Sequence, residues 1–501
     1  MVELLGAGEA AVVTRVCELL VPGSAAGRPD RYLAATLAGL SAGEEDAVHA
    51  AIGVLAGVTD ARELSRLAGS AAFERFRRLA IEAGYGDHAP PGRRGPDGAD
   101  VLVVGLGGAP IAADLAGRGA DVLLLDVVPA PARFVSTVDE VVLAGGPGPV
   151  AAERAPAADV AKFHQSTGLL GATGPFGPED LEPWYSRVEA RLGPPDSSDR
   201  SPAVVEPGFV ALGTPLRPRL SWPSIPAPGG ARVRTRHGVR HVLLDTAGRR
   251  PKVTGVAYTR DGCDGELRAP VVVLAAGPLE TPRILVRTGE QAGLDTPSAR
   301  LAGRTLGLHP ARLVYGWFPE PAGCATTACC DSHDGIAVEA TVRPEPVAFA
   351  EGLVDPRDRP LWGGRLAEVV RGYPHWLGLR VLVADDNTAV ADLGLGGEVV
   401  VGKRFSTAER RRLAAALEFG VAVLRAAGAR DVVWSGLTAA HPQGGAPMGD
   451  DPARSVVGPD GRSHDVDGLY VGDGSVLPAV LSVPPALTVL ALAAKVAGAI
   501  R

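Results

Sequence analysis

At 501 residues the chain has room for roughly two to four domains, and 46% hydrophobic against 21% charged residues excludes a disordered chain. A formal net charge of −7 excludes the broad positive field that nucleic acid or an anionic membrane surface requires. Glycine (65) and proline (43) are frequent but keep no three-residue period, which excludes a collagen-like rod.

Apolar residues at helical spacing predict helices over 10–20, 30–40, 42–55 and 61–83, so residues 1–90 read as a helical N-terminal region. No basic segment leading into an apolar run opens the chain, and the most apolar stretch, 476–500, is interrupted by Lys495 and prolines. Cys17, Cys263, Cys324, Cys329 and Cys330 are too few and too irregular for a disulfide framework, and a reducing, cytoplasmic setting is expected. The run from Cys324 to Cys330 reads as a loop of free thiols. Half a metal site is the alternative, with His333 as its sole neighbouring ligand type.

A Pro/Gly-rich linker at 88–98 marks a boundary. Beyond it the wholly apolar run 101–104 predicts a strand buried on both faces, as in a parallel sheet covered by helices. Gly105, Gly107, Gly108 and Pro110 follow, then a predicted helix over 111–118 and a second apolar strand over 121–125 that ends in Asp126. Strand, glycine loop, helix, strand and acid make the arrangement of a dinucleotide-binding unit. Glycine allows the tight turn and the close approach of a pyrophosphate to the helix N-terminus, and the acid accepts from a ribose hydroxyl. Pro110 stands at the third glycine position and Asp114 where a small residue is usual, so a βαβ unit that keeps its shape without a nucleotide is the other reading.

The C-terminal stretch runs His441-Pro-Gln-Gly-Gly-Ala-Pro-Met448-Gly, then Gly468-Leu-Tyr-Val-Gly-Asp473-Gly474-Ser475-Val-Leu-Pro478, then Pro484-Pro-Ala-Leu487-Thr488. It closely resembles the end of the glucose-methanol-choline (GMC) oxidoreductases, nearest their long-chain alcohol oxidase branch. The span from Val271 through Gly277 to Pro282, the helix with Glu182-Pro183-Trp184-Tyr185, and Leu306-Gly-Leu-His309-Pro310 resemble further motifs of that family. The resemblance runs from about residue 97 to the end. It implies an α/β fold: a Rossmann-like FAD-binding domain assembled from 97–165, 225–300 and 436–501. An antiparallel-sheet substrate domain would be inserted at 166–224 and 301–435.

It also implies roles. His441 would take the hydroxyl proton of an alcohol while hydride leaves for FAD, a task suited to a base that titrates near neutrality. The cofactor-binding positions implied are Gly105, Gly107, Gly108, Asp126, Val239 (adenine side), Gly277, Asp473, Gly474, Leu487 and Thr488. Three departures stand out. The family's second active-site residue, Asn or His, is Pro484 here, with no side-chain donor or acceptor. The glycine loop carries Pro110, and the family's pyrophosphate stretch is reduced to the region of Gly145–Pro149.

The remaining candidates read as ordinary structure. His164 is expected on a surface loop, Asp385-Asp386-Asn387 in a hairpin turn, and Glu409 with Arg410–Arg412 on the solvated face of a helix over 406–426. Trp184, Trp222, Trp317, Trp362, Trp376 and Trp434 are expected to include walls of a substrate cavity. The function expected is FAD-dependent oxidation of an alcohol group on a bulky, lipid-like or natural-product small molecule. The alternative is a redox-neutral cyclase or isomerase of a biosynthetic pathway on the same scaffold, with FAD structural or lost. A non-catalytic binding protein is the third. No metal and no transmembrane segment are expected.

Overall fold

Helix α1 (Ala7–Leu20) turns Val13, Val16 and Cys17 inward, as the helical spacing predicts. The computed structural model describes residues 7–20, most of 49–63 and most of 98–501. The helix expected at 30–40, most of that at 61–83, the linker up to residue 97 and the stretch 145–149 lie outside the described residues.

The first sheet grows from β1 (Val101–Val104), four apolar residues buried on both faces. Next come α2 (Ala109–Gly117), with Pro110 in the first turn where a missing N–H costs little, and β2 (Val122–Val127), parallel to β1. Helices α3 (Ala157–Thr167) and α4 (Pro178–Leu192) precede β3 (Arg232–Asp245). The first part of β3 runs parallel to β2, and the rest folds antiparallel with β4 (Lys252–Arg260), which in turn pairs β5 (Cys263–Arg268). β6 (Val271–Leu274) then lies parallel on the other side of β1, followed by α5 (Gly277–Ala292), and a strand at Leu469–Val471 ends the order β5-β4-β3-β2-β1-β6-469–471.

The second sheet has nine strands and is antiparallel at its centre. A two-residue strand β7 (Leu306–Gly307) leads directly into β8 (Pro310–Trp317), which pairs with β10 (Trp376–Val383); β10 also pairs β9 (Ile336–Thr341). β11 (Val399–Lys403) belongs to a separate three-stranded sheet. α6 (Thr407–Ala426) lies against β8 and β10, and Gly420 permits the contact: a Cβ there would stand 2.8 Å from Val381. β12 (Asp431–Ser435) pairs β8, and β13 (Gln443–Gly444) pairs β7. The largely apolar helix α7 (Ala486–Ala499) packs between α2 and α4 over the first sheet, which explains why Lys495 is its one charged residue: nine of its residues are buried.

Several local expectations change. Cys329 and Cys330 lie in a strand, Ala328–Asp331, paired with β9, not in a loop. His164 stands on α3, half-buried, with Nδ1 3.2 Å from the carbonyl of Leu169. Asp385–Asn387 joins β10 to a strand of another sheet, so it forms no hairpin. Glu409 is buried, while Arg411 is exposed as expected. Trp376 is sealed in a core with Tyr315 and Phe349, whereas Trp362 is 82% exposed.

Candidate functional site

The loops at 105–108, 275–277 and 472–476 all leave the carboxyl ends of neighbouring parallel strands. That edge is where ligands of open α/β sheets bind. Gly105 has φ +104°, and a Cβ on it would meet the carbonyl oxygen of Ala275 at 2.4 Å, so only glycine fits. Gly108 presses on Val103 and Ala275 in the same way, while Gly107 is exposed. Gly277, at φ +93°, has open space where a side chain would be: among the described residues no atom lies within 4 Å of its Cβ position.

Asp473 serves the corner from inside. Its carboxylate accepts from the Gly277 N–H (2.8 Å), the Thr281 hydroxyl (2.6 Å), the Ser475 N–H (2.8 Å) and the Ser475 hydroxyl. Burial pushes its carboxyl up, opposed by these donors. Asp473 thus ties the two loops together rather than presenting its side chain outward. Gly474 is buried, and a Cβ on it would lie 3.4 Å from Pro278. The Val239 carbonyl already accepts from Arg283, which pairs with buried Glu280. Asp126 is the penultimate residue of β2, with its side chain outside the described residues. Leu487 and Thr488 occupy the first turn of α7, and the Thr488 hydroxyl meets Tyr185 Oη at 2.7 Å. In backbone terms the corner fits a dinucleotide: a tight glycine turn, a helix N-terminus behind it and an open cradle at Gly277.

The chemistry-bearing group lies alongside. Residues 443–448 run against the corner: the Ala446 and Met448 N–H groups donate to the Ser475 and Val476 carbonyls, and a Cβ on Gly445 would touch Pro282 at 2.7 Å. At the head of this run His441 is partly buried, its Nδ1 3.3 Å from Nδ1 of His309, with ring centroids 5.3 Å apart. His309 is fully buried, and its Nε2 has no hydrogen-bond partner among the described residues. Burial and the neighbouring His441 push the His309 imidazole down to about 3, against the opposite pull of Glu339 and Asp159. It is therefore neutral at ordinary pH.

His309 has φ +48°, a conformation histidine tolerates better than most residues, and its backbone is pinned. The Leu308 and His309 N–H groups donate to Asp385 (3.1 and 2.9 Å), which pairs with Lys403 (3.0 Å), which pairs with Glu409 (2.7 Å). All three charged side chains are buried. Burial pushes the Asp385 carboxyl up. For Glu409 burial acts the same way, but Lys403 and the N–H groups of Ser406 and Asp386 outweigh it and hold that carboxyl below its ordinary value.

The loop before α7 is held from three directions. Asn387 accepts from the Val480 N–H (3.0 Å), Gln443 accepts from the Leu481 N–H (3.1 Å), and Asp159 accepts from both the N–H and hydroxyl of Ser482 (2.8 and 2.7 Å). Pro484 follows, buried and without a polar side-chain atom. His309, Gln443, Asp159 and the Asp385–Lys403–Glu409 set escaped the sequence reading as site residues. The one available signal was the Leu-His-Pro wording around His309. Among the described residues no group of three or more His, Cys, Asp or Glu could hold a metal ion.

Residues 401–493 match the family model for GMC oxidoreductases. An uncharacterized GMC-type oxidoreductase of Mycobacterium tuberculosis is 31% identical over 294 residues, covering 51% of this chain and 43% of that protein. Over residues 401–493 the chain is thus similar to the GMC oxidoreductases. A long-chain-alcohol oxidase of Arabidopsis thaliana is 25% identical over 304 residues, covering 49% of this chain and 39% of that protein. The chain thus spans less than half the length of these GMC relatives. The GMC fold extends further: pyridoxine 4-oxidase from Mesorbium loti superposes with a TM-score of 0.58 at 18% identity, over 80% of this chain and 98% of that one. No helix among the described residues is long and apolar enough to cross a membrane.

Proposed function

We propose that the chain is an FAD-dependent oxidoreductase acting on an alcohol group of a bulky, lipid-like or natural-product small molecule, in a cytoplasmic setting. The observation that carries this reading is His441: it heads the segment that runs along the nucleotide corner, and it is backed by a histidine held neutral. We divide the chain as the family resemblance implies, with 97–165, 225–300 and 436–501 holding FAD and 166–224 and 301–435 facing the substrate.

FAD, when bound, supplies the acceptor for the hydride and its two electrons. Gly105, Gly107, Gly108 and Gly277 would hold its phosphates by backbone, Asp126 its ribose, and the neighbourhood of Val239 its adenine. Asp473 and Gly474 would brace the corner, and Leu487 and Thr488 would stand in the helix turn nearest the ring. His441 accepts the hydroxyl proton as the carbonyl forms, and becomes imidazolium. Pro484 adds no hydrogen bond to the alkoxide, so that charge rests on His441. The same buried proline favours a second reading, a redox-neutral cyclase or isomerase in which His441 hydrogen-bonds a carbonyl or enol.

The absorption spectrum of the purified protein and stopped-flow spectra with alcohol substrates decide between them. Oxidation predicts a yellow protein whose flavin bleaches, with a rate reduced roughly 10²–10⁴-fold in His441→Ala while flavin stays bound. A protein that takes up no FAD ends the oxidoreductase reading. A flavin that stays oxidised during turnover transfers the case to the second.

A further inference from the structure

The proposed function gives the buried partner of His441 no role beyond backing it, yet its geometry is specific. The two Nδ1 atoms face each other at 3.3 Å, so one ring donates and the other accepts there. His309 is fully enclosed, and its backbone is clamped by Asp385 in a left-handed conformation. Its ring is therefore not a side chain that happened to fall near His441.

We infer that His309 is the positioning residue for His441: its bare Nδ1 accepts the Nδ1–H of His441 and so leaves Nε2 of His441 as the proton-accepting nitrogen. This deepens the proposed function and rests on His441 being its base. When His441 takes a proton at Nε2, its Nδ1–H stays bonded to His309, and no proton passes to His309. The groups that face His309 agree with that division. His441 and Arg380 disfavour a proton on it, Glu339 and Asp159 favour one, and burial outweighs all four. The arrangement follows the logic of a catalytic triad, in which a third group fixes the tautomer of the base, with a neutral imidazole in place of a carboxylate. In this tautomer Nε2 of His309 carries a hydrogen and has no acceptor among the described residues.

The test reads the tautomer directly, on the full chain with ¹⁵N-labelled histidine, by two-bond ¹⁵N–¹H correlation spectra; His441→Ala identifies the His441 signals. The wild type is expected to show His441 protonated at Nδ1 at neutral pH. His309→Gly suits the positive φ and removes the ring, and it should convert that single tautomer to a mixture. His309→Asn also suits the backbone, presents an oxygen near the Nδ1 position, and should preserve the Nδ1–H form. A wild-type His441 protonated at Nε2 overturns the inference without any variant, and so does an Nδ1–H signal unchanged in His309→Gly. Because this readout needs neither flavin nor turnover, it can fail while alcohol oxidation stands. It can equally hold while flavin chemistry is disproved.

Discussion

Lys403→Met is the most exacting perturbation of this site, because it acts at a distance from the histidines. Lys403 is buried between Asp385 and Glu409, 3.0 and 2.7 Å from their oxygens, and also donates to the Asp386 carbonyl and the Thr388 hydroxyl (2.6 and 2.9 Å). Methionine fills most of the volume but leaves two buried carboxylates without their cation. Breaking a buried pair in this way costs about 3–5 kcal/mol. One acid escapes by taking up a proton, and Asp385 goes first, since burial already pushes its carboxyl up.

The sign of the pH effect follows. In the variant the folded carboxyls sit above their unfolded values, so the folded state binds more protons, and stability rises as pH falls. Urea unfolding followed by tryptophan fluorescence should show a loss of about 3–5 kcal/mol at pH 7.5. The loss should shrink at pH 5, by up to about 1.4 kcal/mol for each unit of pKa elevation relieved. Replacing all three residues (Asp385→Asn, Lys403→Met, Glu409→Gln) should recover more than half of the loss. No charge is then left uncompensated, and the amide oxygen introduced by Asp385→Asn still accepts from the 308–309 backbone. A single-variant loss below about 1 kcal/mol, the size of an exposed pair, would refute the reasoning, and so would a loss that grows on acidification.

Gly105→Ala should cost at least about 2 kcal/mol in urea unfolding, since the backbone is at φ +104° and the new Cβ would lie 2.4 Å from a carbonyl oxygen; wild-type stability in that variant would contradict the turn. Asp473→Asn replaces one acceptor oxygen by an amide that faces N–H and O–H donors, and a loss of about 1–3 kcal/mol is expected by the same measurement. His309 contributes an acid sensitivity. The unfolded imidazole takes a proton near pH 6.5, but the folded one resists down to about 3, so this group's contribution is lost as pH falls across that window, by up to about 1.4 kcal/mol per pH unit. Urea midpoints between pH 7 and 4 should fall less steeply in His309→Asn than in wild type.

Much of the frame was legible along the chain. Four consecutive valines and leucines at 101–104, followed by Gly105, read as a strand covered on both faces, and 105–110 read as a tight turn into a helix. His441 was legible as a candidate because the stretch from it through Gly444 and Met448 to Asp473 resembles the closing motifs of the GMC family. Glu409 was misread because its neighbours Arg410, Arg411 and Arg412 make a helix face look solvated; the capping box at Ser406 and the single buried lysine turn it inward.

The sequence by itself determined what depends on neighbours along the chain: buried strands, glycine turns, helix starts and the motif that holds the candidate base. Only the tertiary structure decided what depends on distance in space. Asp159, Gln443 and Asn387 hold one loop from positions far apart in sequence, and Asp473 spends its carboxylate on the turn at Gly277, 196 residues away. His309 reaches His441 across 132 residues because β7 pairs with β13, and no local pattern encodes that register. A hydrogen bond needs its two atoms near 3 Å, and a pKa responds to whatever charge and water the folded chain brings or excludes, so both are properties of the packed molecule.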